Sequence, residues 1–329
     1  MADTPGKKAT ANEEIVVLLK EDMKGEHAAI IQYLQHAYKL SEGEIPTEVE
    51  GIARDEMRHF RWLGEQVVVL GGNPTMERDP IFLDTPEGFD LMLLDVEAED
   101  RAVEQYEAHL AAIDHPKVRR LLERILVDER THRLMFKDFV KELGGDPNKK
   151  LNPPVGPWNQ DGNASAQDLE VNSKGETISA NLEAENRNDH PLVKLLNNRV
   201  RQEYMTVMTY LHRSFVRWNT NPALSRSLLE DRAIWHMTHL GHVGEAVAGL
   251  GERPEMISSP LPMVQAEVSD RDFSQWGKEN ETQLVEDTLQ LLQKLLRADG
   301  EELEGLELQL KRVEKHDRFM EQQFEDDLN

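Results

Sequence analysis

Apolar residues recur every three or four positions along most of residues 11–144, and this spacing is typical of helices that bury one face. Short stretches rich in Gly, Pro and Asp interrupt the pattern and act as helix stops. The four predicted helices run near 11–41, 46–71, 87–113 and 116–144. The same periodicity returns after residue 188 and predicts four more helices, near 190–218, 222–250, 271–299 and 301–326.

The segment between the two helical regions has a different composition. Residues 145–188 are rich in Pro, Gly, Asn and Asp and show no apolar period, as expected of a linker. We therefore predict an all-α protein with one four-helix bundle in residues 1–144, a linker in 145–188 and a second four-helix bundle in 189–329. The length of 329 residues is sufficient for two separate cores.

The two halves also resemble each other in sequence. The segment MRHFRWLGEQVVVLGGNP, which begins at Met57, aligns with MTHLGHVGEAVAGLGERP, which begins at Met237. About half of the positions match over this one helix, although amphipathic helices resemble one another easily. The similarity is consistent with a divergent internal duplication.

Composition limits the chemistry that the chain can perform. The 38 Lys and Arg residues against 62 Asp and Glu give a net charge of −24, which disfavours nucleic acid as a partner and permits cation binding. The absence of cysteine excludes thiolate metal sites, so any metal must bind to oxygen and nitrogen. The N-terminal MADTPGKKATANEE has no apolar segment and Ile15–Leu19 is too short to span a bilayer, so we expect a soluble, cytoplasmic protein.

Four glutamates interrupt the apolar faces of the first four predicted helices. Two of them, Glu26 and Glu99, have a tyrosine seven residues later, at Tyr33 and Tyr106. The other two each begin an inward Glu-x-x-His pair. These pairs are Glu56 with His59 and Glu129 with His132. The spacing from Glu26 to Glu56 equals the spacing from Glu99 to Glu129, namely 30 residues, as two equivalent helix hairpins would give.

Four carboxylates in one core require positive charge, because an unpaired buried carboxylate costs several kcal/mol or becomes protonated. Two divalent ions would balance the four negative charges, and two neutral imidazoles would complete the ligand set. Carboxylate and imidazole ligands without sulfur suit iron or manganese, and zinc also fits. The pattern therefore predicts a site for two metal ions.

Residues 11–144 resemble a ferritin-like di-iron bundle, in which two helices supply a Glu and two supply Glu-x-x-His. The segments DEMRH (55–59) and ILVDERTH (125–132) are similar to the metal motifs of bacterioferritin. The resemblance implies two tandem ferritin-like bundles, with Glu26 and Glu99 as terminal ligands, Glu56 and Glu129 as bridging ligands, and one histidine on each metal. It further implies that Asp55 and Asp128 hydrogen-bond the histidine of the opposite motif. Core packing and hydrogen bonding are equally compatible with Tyr33 and Tyr106.

The residues at positions 102 and 57 help to distinguish rubrerythrins from bacterioferritins as the family that this sequence resembles more. Rubrerythrins also resemble this sequence, but they carry a further glutamate three residues after the Glu99 position, where this chain has Ala102, and a cysteine-bound iron. The six-ligand site therefore favours the bacterioferritin type. Met57 occupies the position at which bacterioferritin places its haem-ligating methionine, so Met57 is a candidate haem ligand, although methionine at such a position more often packs in the core.

The second half keeps the helical frame and changes the candidate ligands. Glu203, with Tyr210 seven residues later, matches Glu26, but His236 and Val313 stand where bridging glutamates are expected. The third helix of this half offers Glu281 or Glu286, neither on a clear apolar stripe, and Trp235 and Arg312 replace the two aspartates. One interpretation is a degenerate bundle retained for packing. The other is a mononuclear zinc or iron site. Its candidate ligands are Glu203, His236, His239 and His316.

The resemblance implies a redox function in which Fe(II) is bound and oxidised by O₂ or H₂O₂, as in ferroxidases or peroxidases. An iron-storage or assembly component is an alternative, although a duplicated chain with a long linker fits a closed shell poorly. A di-manganese catalase or an oxygenase on the same fold is a third. A homo-oligomer is compatible with each, and no membrane partner is expected.

Overall fold

The structure is a computed structural model that describes residues 11–40, 43–84, 88–151, 170–172, 191–218, 229–252, 254–256, 268–295 and 302–328. It divides into two compact units, Met1–Glu183 and Ala184–Asn329. The expectation of an all-α protein is confirmed, with helices dominating both units. The proposed boundaries of the bundles and the linker remain predictions, because most of residues 145–188 lie outside the described part of the chain.

The first unit contains four long helices. These are α1 (Asn12–Leu40), α2 (Glu44–Val69), α3 (Gly88–Ala112) and α4 (Pro116–Glu142). Helix α1 packs along α2 and α3 packs along α4, while α1 also contacts α3 and α2 contacts α4. All eight helix ends lie within two residues of the predicted ones, because local signals define them. Pro116 begins α4 and the His115 ring accepts a hydrogen bond from the backbone N–H of Val118, whereas Gly144, with a φ of 85°, follows its end.

A short parallel strand pair belongs to the same unit and was not predicted. Strand β1 (Ile81–Asp84) pairs with β2 (Glu170–Asn172), which lies in the segment interpreted as a linker. Segments of three or four residues are too short to show a strand period, and the partner lies far along the chain. The sequence pattern therefore contained no signal for this pairing.

Buried polar side chains attach β1 to the helices. Phe82 donates its backbone N–H to Gln32 Oε1 at 2.9 Å, and Gln32 Nε2 donates to Asp95 Oδ1 at 2.9 Å. The ring nitrogens of His36 lie 2.8 Å from Asp95 Oδ1 and 2.8 Å from the carbonyl of Phe82. Asp95 is therefore the point at which α1, α3 and β1 are joined.

We expect Asp95→Ala to lower the free energy of unfolding of the first unit by about 3 to 5 kcal/mol, because it leaves the buried His36 and Gln32 without their shared acceptor. Asp100→Ala on the same helix is the matched control. Its ion pair with Arg133, at 3.1 Å, is partly exposed, so the loss should stay below about 1 kcal/mol. Urea unfolding measures both, and equal losses would contradict this role of Asp95.

The second unit repeats the pairing of the first. Its helices are α5 (Pro191–Arg217), α6 (Asp231–Gly249), α7 (Asp270–Leu295) and α8 (Glu302–Leu328). Helix α5 packs along α6 and α7 along α8, with α5 also against α7 and α6 against α8. The predicted start of α6 near 222 lies outside the described residues, as do the predicted last residues of α7. Among the described helices, none is both long and apolar enough to cross a membrane.

Candidate metal centre

Each helix of the first unit directs one glutamate into the core. Glu26 lies on α1, Glu56 on α2, Glu99 on α3 and Glu129 on α4, and none of them is more than 4% exposed. Buried apolar residues lie three or seven positions away on the same helices, for example Met23 beside Glu26 and Phe136 beside Glu129, which is why these carboxylates share the inner faces of the bundle. The structure thus brings together the four glutamates singled out in the sequence.

The glutamates and two histidines form two overlapping clusters. One cluster consists of Glu26, Glu56, His59 and Glu129, and the other consists of Glu56, Glu99, Glu129 and His132. Within each cluster the potential ligand atoms all lie within 4.8 Å of one another. Glu56 and Glu129 belong to both clusters, so they stand where two bridging carboxylates would stand. This is the arrangement of two adjacent cation positions.

The imidazole rings direct one nitrogen into the site and the other away from it. His59 Nδ1 lies 2.9 Å from Glu56 Oε2 and 2.8 Å from Glu129 Oε1, and His132 Nδ1 lies 2.9 Å from Glu56 Oε1. On the opposite side, His59 Nε2 lies 3.3 Å from Asp128 Oδ2, and His132 Nε2 lies 3.5 Å from Asp55 Oδ2. A carboxylate accepts a hydrogen bond from Nε2–H and so favours the tautomer in which the Nδ1 lone pair is available to a metal.

The two buried tyrosines contact the glutamates across the bundle rather than along their own helices. Tyr33 on α1 donates its hydroxyl to Glu99 Oε1 on α3 at 2.7 Å, and Tyr106 on α3 donates to Glu26 Oε1 on α1. Each tyrosine therefore holds one oxygen of a glutamate that is predicted to be a terminal ligand, and it fixes the direction of that carboxylate. Of the two roles compatible with the sequence, the structure supports hydrogen bonding.

Burial in this core opposes the ionisation of its carboxylates. Burial raises the pKa of Glu26 and of Glu99 well above the usual range, and the charge of Glu129 raises both further. Burial acts likewise on Glu56, but His132 and His59 outweigh it and hold the pKa of Glu56 below its usual range. Within the described part of the chain no donor reaches the buried Glu99 Oε2. The donor set of four carboxylates and two imidazoles fits two divalent ions, whose charge would favour the ionised carboxylates.

A small cavity between α1 and α3 leads to the centre. It has a volume of about 60 Å³, and its walls include Glu26, Glu129 and both buried tyrosines. Ala102 also lines this cavity, at the position where rubrerythrins carry a further glutamate. Met57, the candidate haem ligand, is only 8% exposed on α2 and packs as a core residue. Haem ligation remains a prediction.

In the second unit, three of the four candidate ligands form a buried cluster. Glu203, His236 and His239 come together with Asp317, which the sequence analysis did not identify. His236 Nδ1 lies 2.6 Å from Glu203 Oε2, and His239 Nδ1 lies 3.2 Å from Asp317 Oδ1. His316 lies outside this group and is half-buried, with Nδ1 3.1 Å from His239 Nε2.

The expectation that neither Glu281 nor Glu286 lies on an apolar stripe is wrong for Glu281. This residue is fully buried and accepts a hydrogen bond from Tyr210 at 2.8 Å, whereas Glu286 is exposed. Burial lowers the pKa of His236, but Glu281 and Glu203 outweigh it and raise this pKa to about 10. The stripe runs through Gly277 and Thr288, small and polar residues that conceal its period.

Residues that replace ligands or aspartates in the second unit lie where the alignment placed them. Val313 is buried on α8, Trp235 is half-exposed and Arg312 is exposed. Asp317 and Val313 lie on the same buried face of α8, together with Leu310 and Met320. This spacing of three, four and three residues was the available signal for Asp317.

The four helices and the two overlapping carboxylate clusters define a class of protein, the four-helix bundles with a centre for two metal ions. Comparison with known proteins agrees: residues 16–140 match the family model described as Rubrerythrin. A bacterioferritin of Desulfovibrio desulfuricans is 27% identical over 148 residues, which are 42% of this chain and 83% of that protein. The X-ray structure of that bacterioferritin, with its di-iron site in different catalytic states, has 26% sequence identity and covers 41% of this chain and 82% of its own, with a TM-score of 0.38. The N-terminal region is therefore similar to the ferritin-like di-iron domains of the rubrerythrin family.

Proposed function

We propose that the first unit binds two iron ions and oxidises Fe(II) with O₂ or H₂O₂, as a ferroxidase or peroxidase. The observation that carries this proposal is the sharing of Glu56 and Glu129 by two four-residue clusters. Shared carboxylates keep two ions close enough to react as a pair. The proposed ligands are Glu26, Glu56, His59, Glu99, Glu129 and His132.

Different residues have different roles at the proposed metal centre. The four glutamates supply four negative charges, which balance two divalent ions, and the two neutral imidazoles complete the donor set. Asp55 and Asp128 keep the histidines in the tautomer with a free Nδ1, and the tyrosines hold the terminal glutamates. When bound, an iron pair supplies two electrons, the number that reduces H₂O₂ to water or O₂ to H₂O₂.

The cavity supports a small oxidant as the second substrate. A volume of about 60 Å³ admits a few water-sized molecules, whereas organic ligands occupy pockets of roughly 300 Å³ or more. The cavity touches Glu26 and Glu129, so a molecule in it would lie directly beside two proposed ligands. The surrounding apolar core keeps bulk water away from the site. An oxygenase with a bulky substrate is therefore disfavoured.

The proposed function is tested by loading the metal-free protein with two equivalents of Fe(II) under anaerobic conditions and mixing it with O₂ or H₂O₂ in a stopped-flow instrument. Fe(II) should be oxidised at least about 100-fold faster than in buffer with either oxidant, since a bound pair pre-organises both electrons. Manganese loading with an assay for O₂ release distinguishes a catalase. Oxidation no faster than in Glu129→Gln would contradict the proposal.

Filling the cavity should separate oxidant access from metal binding. We expect Ala102→Leu to slow oxidation of the loaded protein by about tenfold, equivalent to about 1.4 kcal/mol, because the larger side chain occupies space in the cavity through which the oxidant would reach the site. Bound iron per chain should not change. Ala108→Leu, at an exposed position of the same helix, is the control. Unchanged oxidation in Ala102→Leu would show that the oxidant enters elsewhere.

A further inference from the structure

A buried arginine lies at the centre of the second unit. Arg199 on α5 is 1% exposed, and its Nη2 lies 2.6 Å from Glu203 Oε1 and 2.6 Å from Asp317 Oδ2. Its Nη1 donates to the carbonyl of Leu284 on α7 at 2.6 Å. The guanidinium therefore joins α5, α7 and α8 through two carboxylates and a carbonyl.

This guanidinium contacts the same carboxylates that a metal would need. Glu203 and Asp317 are the two carboxylate members of the buried cluster that otherwise contains His236 and His239. A divalent ion between them would lie within a few ångströms of a positive group, and charges of equal sign repel strongly in a buried site. Arginine cannot lose its proton to relieve this repulsion.

The histidine closest to Glu203 also contacts carboxylates through both of its ring nitrogens. His236 Nδ1 lies 2.6 Å from Glu203 Oε2, and its Nε2 lies 3.0 Å from Glu281 Oε1. His236 therefore joins two buried carboxylates, one on α5 and one on α7. In the first unit, by contrast, the outer nitrogen of each histidine faces a partly exposed aspartate, Asp128 or Asp55, rather than a buried carboxylate.

The aligned positions of the two units differ in charge around the cluster. Arg199 lies four residues before Glu203, as Asp22 lies four residues before Glu26. The bridging Glu129 of the first unit corresponds to the apolar Val313. The second unit thus has His236 and Val313 instead of carboxylates at the two corresponding positions, and it has an internal cation that the first unit lacks at the position of Asp22.

We propose that the guanidinium of Arg199 takes the place of the metal in the second unit, which therefore binds no divalent metal and folds independently of it. Removal of this guanidinium frees Glu203 and Asp317 and creates a metal site with His239. The chain then combines one unit whose structure depends on metal with one whose structure does not. This inference concerns residues outside the first unit and stands independently of the function proposed there.

The test uses the full chain with the first centre disabled by Glu56→Gln and Glu129→Gln. Titration with Co(II) reports binding through its visible absorption, which distinguishes histidine and carboxylate coordination from the aqueous ion. With Arg199 intact we expect no such absorption. With Arg199→Met added, about one Co(II) per chain should bind, because the carboxylates lose their internal counter-ion. A further His239→Ala should abolish this gain.

Two matched variants control for charge and for general disruption of α5. Arg199→Lys keeps a positive charge and should bind no Co(II). Arg213→Met removes another buried arginine of α5, which is paired with Asp270 at 2.7 Å and lies away from the cluster, and it should also bind none. Circular dichroism establishes which variants are folded.

Two results would overturn the proposal. The first is Co(II) binding with Arg199 intact that His239→Ala removes, since this would show a metal site beside the guanidinium. The titration with Arg199 intact tests the proposal even if Arg199→Met does not fold. The second is a folded Arg199→Met variant that takes up no Co(II). Because the first centre is disabled throughout, neither result depends on whether the first unit oxidises iron.

Discussion

Replacing Glu56 or Glu129 with Gln is expected to abolish binding of a metal pair by the first unit. Each carboxylate belongs to both clusters, so each substitution removes a ligand and one negative charge from both cation positions. Loss of a group that only hydrogen-bonds a ligand costs roughly 10- to 100-fold in metal affinity, and loss of a shared ligand should cost more. Isothermal titration with Fe(II) under anaerobic conditions measures the number of ions bound and their affinities.

Matched controls are available on the same two helices. Glu48 on α2 and Glu123 on α4 are exposed, and Glu48→Gln and Glu123→Gln should bind two ions as the unmodified protein does. Gln is nearly isosteric with Glu, so a change confined to the buried positions reports charge and coordination rather than packing. Two tightly bound ions in either buried variant would contradict the assignment of bridging ligands.

Removal of metal should lower the melting temperature of the first unit by about 10 °C and leave that of the second unit unchanged. A ligand at 1,000 times its Kd stabilises the native state by about 4 kcal/mol, and a unit of this size shifts by about 2 to 4 °C per kcal/mol. The four clustered carboxylates repel one another in the metal-free protein, which adds to the effect. Differential scanning calorimetry with and without a chelator measures both transitions.

The substitution Glu99→Gln should have opposite effects on the melting temperature of the metal-free and the metal-loaded first unit. Burial and the charges of Glu129 and Glu56 raise the pKa of Glu99, so the ionised carboxylate destabilises the metal-free bundle. Glu99→Gln should therefore raise the melting temperature of the metal-free first unit and lower that of the loaded one. A melting temperature that stays the same on chelation, with metal loss confirmed by elemental analysis, would contradict a buried centre that is normally filled.

The helices and the inward-facing glutamates of the first unit could be predicted because they depend on residues that are close together in the sequence. Helix ends depend on capping and breaking residues within a few positions, and the inward direction of Glu26 or Glu129 follows from spacing along a single helix. The partner of each tyrosine was not predictable in this way. Periodicity shows that Tyr33 faces the core, but only the packing of α1 on α3 shows that it meets Glu99 rather than Glu26.

The second unit was harder to predict because its polar core contradicts the usual pattern. Arginine is rarely buried, so the sequence pattern does not indicate that Arg199, four residues before Glu203, faces the core. Asp317 follows His316 directly, and the alignment with His132 indicates only the histidine as a ligand. The β1–β2 pair depends on contacts between distant segments, for which a short sequence pattern holds no information.

The most direct test of the central claim is the Mössbauer spectrum of the full chain loaded with ⁵⁷Fe and oxidised, together with the iron content per chain. If Glu56 and Glu129 join two cation positions, the protein should hold two iron ions per chain in the first unit, and the ferric pair should be magnetically coupled. The spectrum would then be a quadrupole doublet without magnetic splitting at low temperature in a weak field. A magnetically split spectrum of isolated high-spin Fe(III), or one iron per chain, would contradict a paired centre.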